Sequence, residues 1–279
     1  MDKNHCYFQG RITTVDKIKI SPYDIGLLRG YGVFDVMRTV NGKPFLLKEH
    51  FVRLKNSAKE LNLKLPFSFA EYEKILKVLL KKNKFKESSI RTVLTGGEAL
   101  DAPRFLPNKK LTCYILIEEF HGLPEKIFTS GAAIMTLEFE RQIPVAKITN
   151  YVEAIRSHKK KKRSNCLEII YVKNGKVSEA SSSNFFIFKK GKLITTKNGI
   201  LLGTTRNLVV KLAKKNKIKI EERAILEEEL FSADEVFITA TNKDIVPIVK
   251  IDGEKVGNGK VGENTKIMME LFSDFVKKY

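Results

Sequence analysis

A mixed α+β fold in two domains is what this sequence predicts, and three observations carry the prediction. Strand-like and helix-like runs are interspersed without a strict βαβ alternation. No self-similarity at a period of about 20–50 residues is present, which removes solenoids and propellers. The stretch Glu118–Lys126 holds Gly122 and Pro124 and reads as a linker. It separates a small N-terminal α+β domain, residues 1–120, from a larger C-terminal domain, residues 121–279.

The elements follow in order. Tyr7-Phe8 and Arg11-Ile12 flank Gln9-Gly10 as a hairpin. The glycines of Gly26-Leu27-Leu28-Arg29-Gly30-Tyr31-Gly32 imply tight turns or close backbone approach. Val33–Val40 reads as a strand closed by an Asn41-Gly42 turn, with a second strand at Phe45-Leu46-Leu47. Phe51, Leu54, Ala58 and Leu61 make one stripe of a helix over His50–Leu61, and another helix covers Ala70–Lys82. Strands at Ile90–Thr95 and Leu111–Ile117 enclose a loop at Asp101–Pro107. Beyond the linker, strands are expected at Ala132–Phe139, Glu168–Val172, Phe185–Phe188, Leu193–Thr195 and Asp234–Asn242. Helices are expected at Tyr151–Lys162, Thr205–Lys215 and Asn264–Lys278.

Composition excludes several classes. No apolar run approaches the roughly 20 residues of a membrane helix. Met1-Asp2-Lys3-Asn4-His5 is polar and lacks the apolar core of a signal peptide. Cys6, Cys113 and Cys166 are odd in number and far apart, so neither a disulfide framework nor a metal site is offered. A reducing cytoplasm is the simplest setting. The net charge of +19 fits a nucleic-acid binder, but the lysines are spread along the chain among acidic residues. The one dense run, Lys159-Lys160-Lys161-Lys162-Arg163, falls in a helical stretch and reads as a solvated face. No aromatic–basic stacking pattern accompanies it. Charge of this sign attracts anionic metabolites.

Chemistry concentrates between Lys147 and Arg206. Gly203-Thr204-Thr205-Arg206 precedes the apolar-periodic run Leu208–Ala213. A glycine turn and threonines at a helix start offer free N–H groups, hydroxyls and the positive end of the dipole, which suits a phosphate. An ordinary threonine cap has the same sequence. Thr241, closing its strand, offers another hydroxyl, and Arg53 a bidentate cation, although by itself Arg53 reads as a surface arginine. Lys147 follows Ile143-Pro144-Val145-Ala146, an apolar setting that eases loss of the ammonium proton and formation of a Schiff base. A snorkelling lysine at a strand edge is the alternative. Glu179 lies on a strand leading into Ser181-Ser182-Ser183; a carboxylate there could keep a pyridine nitrogen protonated, or be a surface group.

Taken together the motifs are specific. Lys147-x-x-Asn150-Tyr151, Val177-Ser178-Glu179-Ala180-Ser181-Ser182-Ser183-Asn184, Ile200-Leu201-Leu202-Gly203-Thr204-Thr205-Arg206 and Ala233-Asp234-Glu235-Val236-Phe237 stand in an order that resembles the class IV aminotransferases, the fold-type IV pyridoxal phosphate enzymes. Arg29-Gly30-Tyr31-Gly32-Val33-Phe34-Asp35 and His50-Phe51-Val52-Arg53-Leu54 extend the resemblance over nearly the whole chain. It implies a small N-terminal α+β domain, a larger pseudo-barrel domain that binds pyridoxal 5′-phosphate, and the cofactor between them. It implies that Lys147 carries the cofactor and moves the proton between substrate Cα and cofactor C4′, and that Glu179 pairs with the pyridinium nitrogen. Arg53, Thr204, Thr205 and Thr241 would hold the phosphate, with Ser182 also at the cofactor. Tyr151 would approach the phenolic oxygen, and Leu201 would support one ring face. The partners implied are amino acids, 2-oxo acids and a second copy of the chain; no metal, membrane or nucleic acid is called for.

Substrate choice turns on how a carboxylate is held. L-branched-chain enzymes of the family usually read Val-Phe-Glu-Gly-Ile-Arg; here the run is Val33-Phe34-Asp35-Val36-Met37-Arg38. The best-known D-amino acid enzymes have tyrosine at the position of Phe34 and an arginine–x–histidine pair in a later loop. Pro103-Arg104-Phe105-Leu106-Pro107 keeps the arginine without the histidine. Arg29 resembles an arginine of a divergent group of D-amino acid transaminases. Two arginines suit a dicarboxylate such as glutamate or 2-oxoglutarate. The expectation is a D-amino acid transaminase acting on D-alanine or D-glutamate with 2-oxoglutarate or pyruvate. The alternatives are a branched-chain L-amino acid aminotransferase and aminodeoxychorismate lyase. A basic polyanion-binding protein, the rival of a different class, leaves the constellation around Lys147 unexplained.

Overall fold

A computed structural model describes residues 3–279; Met1 and Asp2, which open the polar N-terminus, lie outside the described residues. The chain forms two compact units. One runs as far as His121 and adds Ala146–Tyr151, and the other takes Gly122–Val145 and Val152–Tyr279.

The first unit contains β1 (His5–Phe8), β2 (Arg11–Thr14), α1 (Ile25–Arg29), β3 (Gly32–Val40), β4 (Lys43–Pro44), α2 (Leu47–Glu60), α3 (Phe69–Asn83), β5 (Ser88–Thr95) and β6 (Thr112–Glu119). Its strands make one antiparallel sheet in the order β2-β1-β6-β5-β3-β4. The two hairpin turns use left-handed backbone at both central residues: Gln9 and Gly10 at φ 49° and 87°, Asn41 and Gly42 at 52° and 70°. That twist matches the strands they join. Along β3, Val33, Asp35, Met37 and Thr39 are buried on one face, while Phe34, Val36 and Arg38 are half-buried on the other. Helices α2 and α3 lie on this sheet. Ser68 and Glu71 cap α3 reciprocally.

Two expectations change here. Phe45-Leu46-Leu47 is not a strand: the ladder stops at Pro44, which pairs with Thr39. Leu46 then turns at φ 53° and α2 begins at Leu47. Proline offers no N–H to continue a ladder, and an apolar triplet fits a buried turn as readily as a strand. The glycine-bearing stretch after Asp24 holds a short helix, α1, capped by the Asp24 carboxylate on the Gly26 N–H at 2.7 Å and closed by left-handed Gly30.

The second unit contains α4 (Glu125–Ser130), β7 (Ala132–Glu138), α5 (Val152–Arg156), α6 (His158–Arg163), β8 (Glu168–Lys173), β9 (Lys176–Ala180), β10 (Asn184–Lys189), β11 (Lys192–Thr195), α7 (Thr204–Lys215), β12 (Ile220–Glu222), β13 (Ile225–Leu226), α8 (Glu227–Phe231), β14 (Glu235–Ala240), β15 (Asp244–Ile251), β16 (Glu254–Lys255) and α9 (Glu263–Lys277). Nine strands run β12-β11-β10-β14-β15-β7-β8-β9-β13, with β16 on β15. Parallel pairs (β11–β12, β15–β7, β7–β8) mix with antiparallel ones. Ile170, Phe185, Ile187, Val236, Ile238 and Val246 belong to one apolar core. Phe186 and Phe237 stack at 4.7 Å, and α7 and α9 pack on β14.

The helix expected over Tyr151–Lys162 is two short helices, parted at Ser157. At the break the Ser157 hydroxyl donates to the Glu153 carboxylate at 2.8 Å, and α6, with Lys159–Arg163, buries no residue. The linker region also gives up Glu125 and Lys126 to α4. No helix among the described residues is long and apolar enough to cross a membrane.

Candidate active site

In the first unit, Lys147 is fixed from both sides of its backbone. Its carbonyl accepts from the Phe34 N–H at 2.9 Å, and its own N–H donates to the Ser57 hydroxyl of α2 at 3.0 Å. Thr149 continues the seam: its N–H donates to the Gly32 carbonyl at 2.9 Å and its hydroxyl to the Gly30 carbonyl at 3.0 Å. A Cβ on Gly32 would meet the Leu94 carbonyl at 3.0 Å, so the close approach needs glycine there. Held in this way, the Lys147 amine stands 4.6 Å from the Phe34 ring centroid and 3.4 Å from the Tyr151 hydroxyl. Phe34 and Tyr151 meet edge to face at 5.5 Å. An amine between two aromatic rings is partly stripped of water.

Beneath this amine lies a buried ionic triad that sequence reasoning missed. Asp35 accepts from Arg53 Nε at 2.7 Å and Nη2 at 3.0 Å, a bidentate pair, and from His50 Nδ1 at 2.6 Å. Burial opposes ionisation of Asp35, but the Arg53 guanidinium and then His50 overcome it and hold the carboxyl well below its ordinary range. Burial pushes His50 down despite Asp35 beside it, with Lys147 adding a smaller push in the same direction. The neutral imidazole therefore donates its Nδ1–H in a hydrogen bond to Asp35. Its 3.2 Å approach to Arg53 Nη2 is two donors converging on one carboxylate. Arg53 is thus an oriented, largely buried cation and not a surface arginine. The sequence carried a signal for this: Asp35 shares a strand face with Val33 and Met37, and His50 and Arg53 lie three apart on one helix.

A further cation, Arg91 of β5, lies over Phe34 at 5.9 Å from its centroid. Phe34 therefore has Lys147 and Arg91 as neighbours. Arg29 and Arg104 meet at one exposed loop. Arg29 donates to the Pro103 carbonyl at 3.3 Å and lies over Phe105, while Arg104 stacks on Tyr23 at 4.3 Å with φ at 64°.

In the second unit, Glu179 of β9 is buried. Its carboxylate accepts from Arg141 Nη1 at 3.0 Å and from the Leu201 N–H at 3.3 Å. Asn184, at the start of β10, binds the same loop twice. Its amide donates to the Leu201 carbonyl at 2.8 Å, and its Oδ1 accepts from the Gly203 N–H at 3.1 Å. Gly203 caps α7 without a side-chain cap bond, and no acidic residue stands in the first turn. Thr204 and Thr205 open the helix, both buried. A Cβ on Gly203 would sit 2.1 Å from Asn184 Oδ1.

Behind the serine run is a second buried pair. Glu168 is buried and receives Lys243 Nζ at 2.6 Å, Ser182 Oγ at 2.8 Å and Ser183 Oγ at 3.1 Å, with Ser181 also donating to it. Burial opposes ionisation of Glu168, but Lys243 and the serines carry its pKa down to about 2. Lys243 lies two residues beyond Thr241, in the turn between β14 and β15.

The donor sets suit pyridoxal phosphate, part by part. The first unit supplies an amine flanked by rings and an oriented guanidinium. The second supplies a buried carboxylate and a glycine-started helix N-terminus lined by hydroxyls, which suits a dianion. Buried Thr239 Oγ1 and Arg206 Nε, in β14 and the first turn of α7, have no protein partner among the described residues.

Comparison with known proteins gives a consistent picture. Residues 32–251 match the family described as amino-transferase class IV. A Methanocaldococcus jannaschii protein that carries the provisional name branched-chain-amino-acid aminotransferase is 33% identical over 98% of this chain and 96% of its own. The D-alanine aminotransferase of Bacillus licheniformis is 32% identical over 93% of this chain and 92% of its own. Among solved structures, the branched-chain amino acid aminotransferase of Escherichia coli superposes with a TM-score of 0.91 at 27% identity, covering 98% of this chain and 95% of its own. The T.th. enzyme of the same name, solved with pyridoxamine 5′-phosphate, gives 0.90 at 26% identity, covering 98% and 94%.

Proposed function

The chain belongs to the class IV aminotransferase family and is a pyridoxal phosphate-dependent aminotransferase, and from that premise we propose that it transfers the amino group of a D-amino acid to a 2-oxo acid. The observation that carries the chemistry is the amine of Lys147, held between Phe34 and Tyr151 on a doubly anchored backbone.

When bound, pyridoxal phosphate supplies the ring that accommodates the electron pair left as the substrate Cα–H bond breaks. The rest falls to the protein. Lys147 Nζ would take up and return the proton at the substrate Cα, and Tyr151, whose hydroxyl stands 3.4 Å from that amine, would orient it. Glu179 would accept a hydrogen bond from the pyridinium N–H, with Arg141 and the Leu201 N–H fixing its carboxylate. Leu201 would lie against a ring face. Arg53, held by Asp35, would offer the phosphate a cation, and Thr204, Thr205 and Thr241 would offer it hydroxyl and N–H donors, while Ser182 anchors the turn that follows Glu179. Phe34 walls the substrate side. Arg91 lies beside it as a cation for the substrate carboxylate, and Arg29 and Arg104 offer charge for a second one.

Substrates are D-alanine or D-glutamate with pyruvate or 2-oxoglutarate. The D-alanine aminotransferase relative and the arginine pair at one loop support this reading. Likeness to branched-chain aminotransferases favours L-branched-chain substrates as the second reading. A homodimer in the cytoplasm completes the proposal; the three cysteines are all free thiols.

The test is product analysis. Enzyme given D-alanine and 2-oxoglutarate should yield pyruvate and D-glutamate, resolved on a chiral column. Turnover of L-leucine with 2-oxoglutarate and none of D-alanine would move the chain to the second reading. Arg29→Ala and Arg104→Ala should each raise KM for D-glutamate more than for D-alanine; equal effects would remove both from carboxylate binding.

A further inference from the structure

Lys243 stands out among the many lysines of this chain because its side chain is turned inward. It is 11% exposed, and its partner Glu168 is 2% exposed. The ammonium has three protons, and three acceptors surround it: Glu168 Oε2 at 2.6 Å, Ser182 Oγ at 2.7 Å and Ser183 Oγ at 3.1 Å. Ser182 in turn donates to Glu168 at 2.8 Å. Each donor of the ammonium therefore has an acceptor inside the cluster, and none is left to reach a ligand.

The cluster joins three segments that are remote in sequence. Glu168 opens β8, the serines form the turn after β9, and Lys243 lies in the turn after β14. The serine turn begins two residues after Glu179, and the β14 turn begins at Thr241. A buried ion pair costs desolvation and repays it only with good geometry and further hydrogen bonds. Its best-attested use is to fix one arrangement of the chain. Here the arrangement fixed is that of two turns carrying proposed cofactor groups.

We propose that Lys243, through Glu168 and the serine turn, is a positioning residue for the phosphate end of the cofactor: it clamps the Ser181–Ser183 turn to the turn of Thr241. The inference rests on the reading of Thr241 as a phosphate residue and of Ser182 as the anchor of the turn that follows Glu179. Lys243 acts by geometry, not by attracting phosphate through its charge.

The experiment is a titration of full-length apoenzyme with pyridoxal 5′-phosphate and, separately, with pyridoxal, followed by cofactor absorbance. Wild type, K243R, K243M, E168Q and the E168Q/K243M pair are compared. K243M is expected to lose about tenfold in affinity for the phosphorylated cofactor, the scale of coupling between linked sites, with a smaller change for pyridoxal. K243R, which keeps the cation and its donors, should recover most of the loss. E168Q retains the positive charge but breaks the clamp, and should also weaken binding; tighter binding by E168Q would mean that charge alone acts, and would overturn the proposal. The double variant carries no unpaired buried charge, so it reports the clamp if K243M does not fold. Wild-type affinity in the double variant, or equal losses for both ligands, would likewise overturn it. A wild-type apoenzyme that binds neither ligand would instead remove the cofactor reading on which the inference rests.

Discussion

Lys147 and Asp35 show how one side chain's task depends on another's restraint. Lys147 can serve as a base only if its amine is held still and short of water. The bonds to Phe34 and Ser57 and the two flanking rings do this. Lys147→Ala should lower kcat by at least about a hundredfold, the scale of losing a positioned general base, while cofactor still binds noncovalently. Normal turnover in that variant would remove Lys147 from the mechanism. Glu168 makes a prediction about pH. Its folded pKa of about 2 lies below the ordinary 4.5. A depressed carboxylate stabilises the fold at pH values above 4.5, and the contribution is lost as pH falls toward 2. The acid limb of a pH–stability curve should be shallower for E168Q than for wild type; superimposable limbs would contradict the assignment. Much at this scale was legible in sequence. Lys147 stood out by its apolar neighbours, and Gly203-Thr204-Thr205 by its place before an apolar-periodic helix. Asp35, His50, Glu168 and Lys243 did not stand out. A buried polar residue is defined by its partner, and these partners are 15, 18 or 75 residues away.

At the scale of elements, the N-terminus of α7 is tightly constrained. Gly203 has φ −62°, so alanine suits its backbone. The obstacle is Asn184 Oδ1, 2.1 Å from the added Cβ. G203A should therefore weaken cofactor binding and lower Tm, and N184A in the same chain should restore part of the Tm. An unchanged Tm in G203A would show that the loop yields freely. The capping box of α3 gives the contrast. Ser68→Ala should cost about 1 kcal/mol of stability with kcat unaltered, since Ser68 is exposed and its side chain closes the capping box of α3. Elements with clear periodicity, such as α2, α3, α7 and α9, were legible to within a few residues. The strand β15 was not anticipated: Pro247 interrupts its apolar run, and an internal proline argues against a strand. The break at Ser157 was missed because the apolar-to-basic change from Val152 to Arg163 reads as one amphipathic helix.

For the whole molecule, the mixed α+β class was legible because strands and helices intermingle without repeats. Pairing order was not, since the partners of β10, for example, are β11 and the distant β14. The charge of +19 has its densest run on α6, which buries nothing. Raising salt should therefore alter KM for anionic substrates, by screening, far more than it alters kcat. A salt effect on kcat alone would contradict a role in substrate attraction.

The central claim is a transaminase that prefers D-amino acids, and one half-reaction tests it most directly. Purified holoenzyme without keto acid is mixed separately with D-alanine, D-glutamate, L-leucine and L-glutamate, and the visible band of the cofactor is followed. The account predicts that the band disappears with the D-substrates and persists with L-leucine. Loss of the band with L-leucine and none with either D-substrate would contradict it.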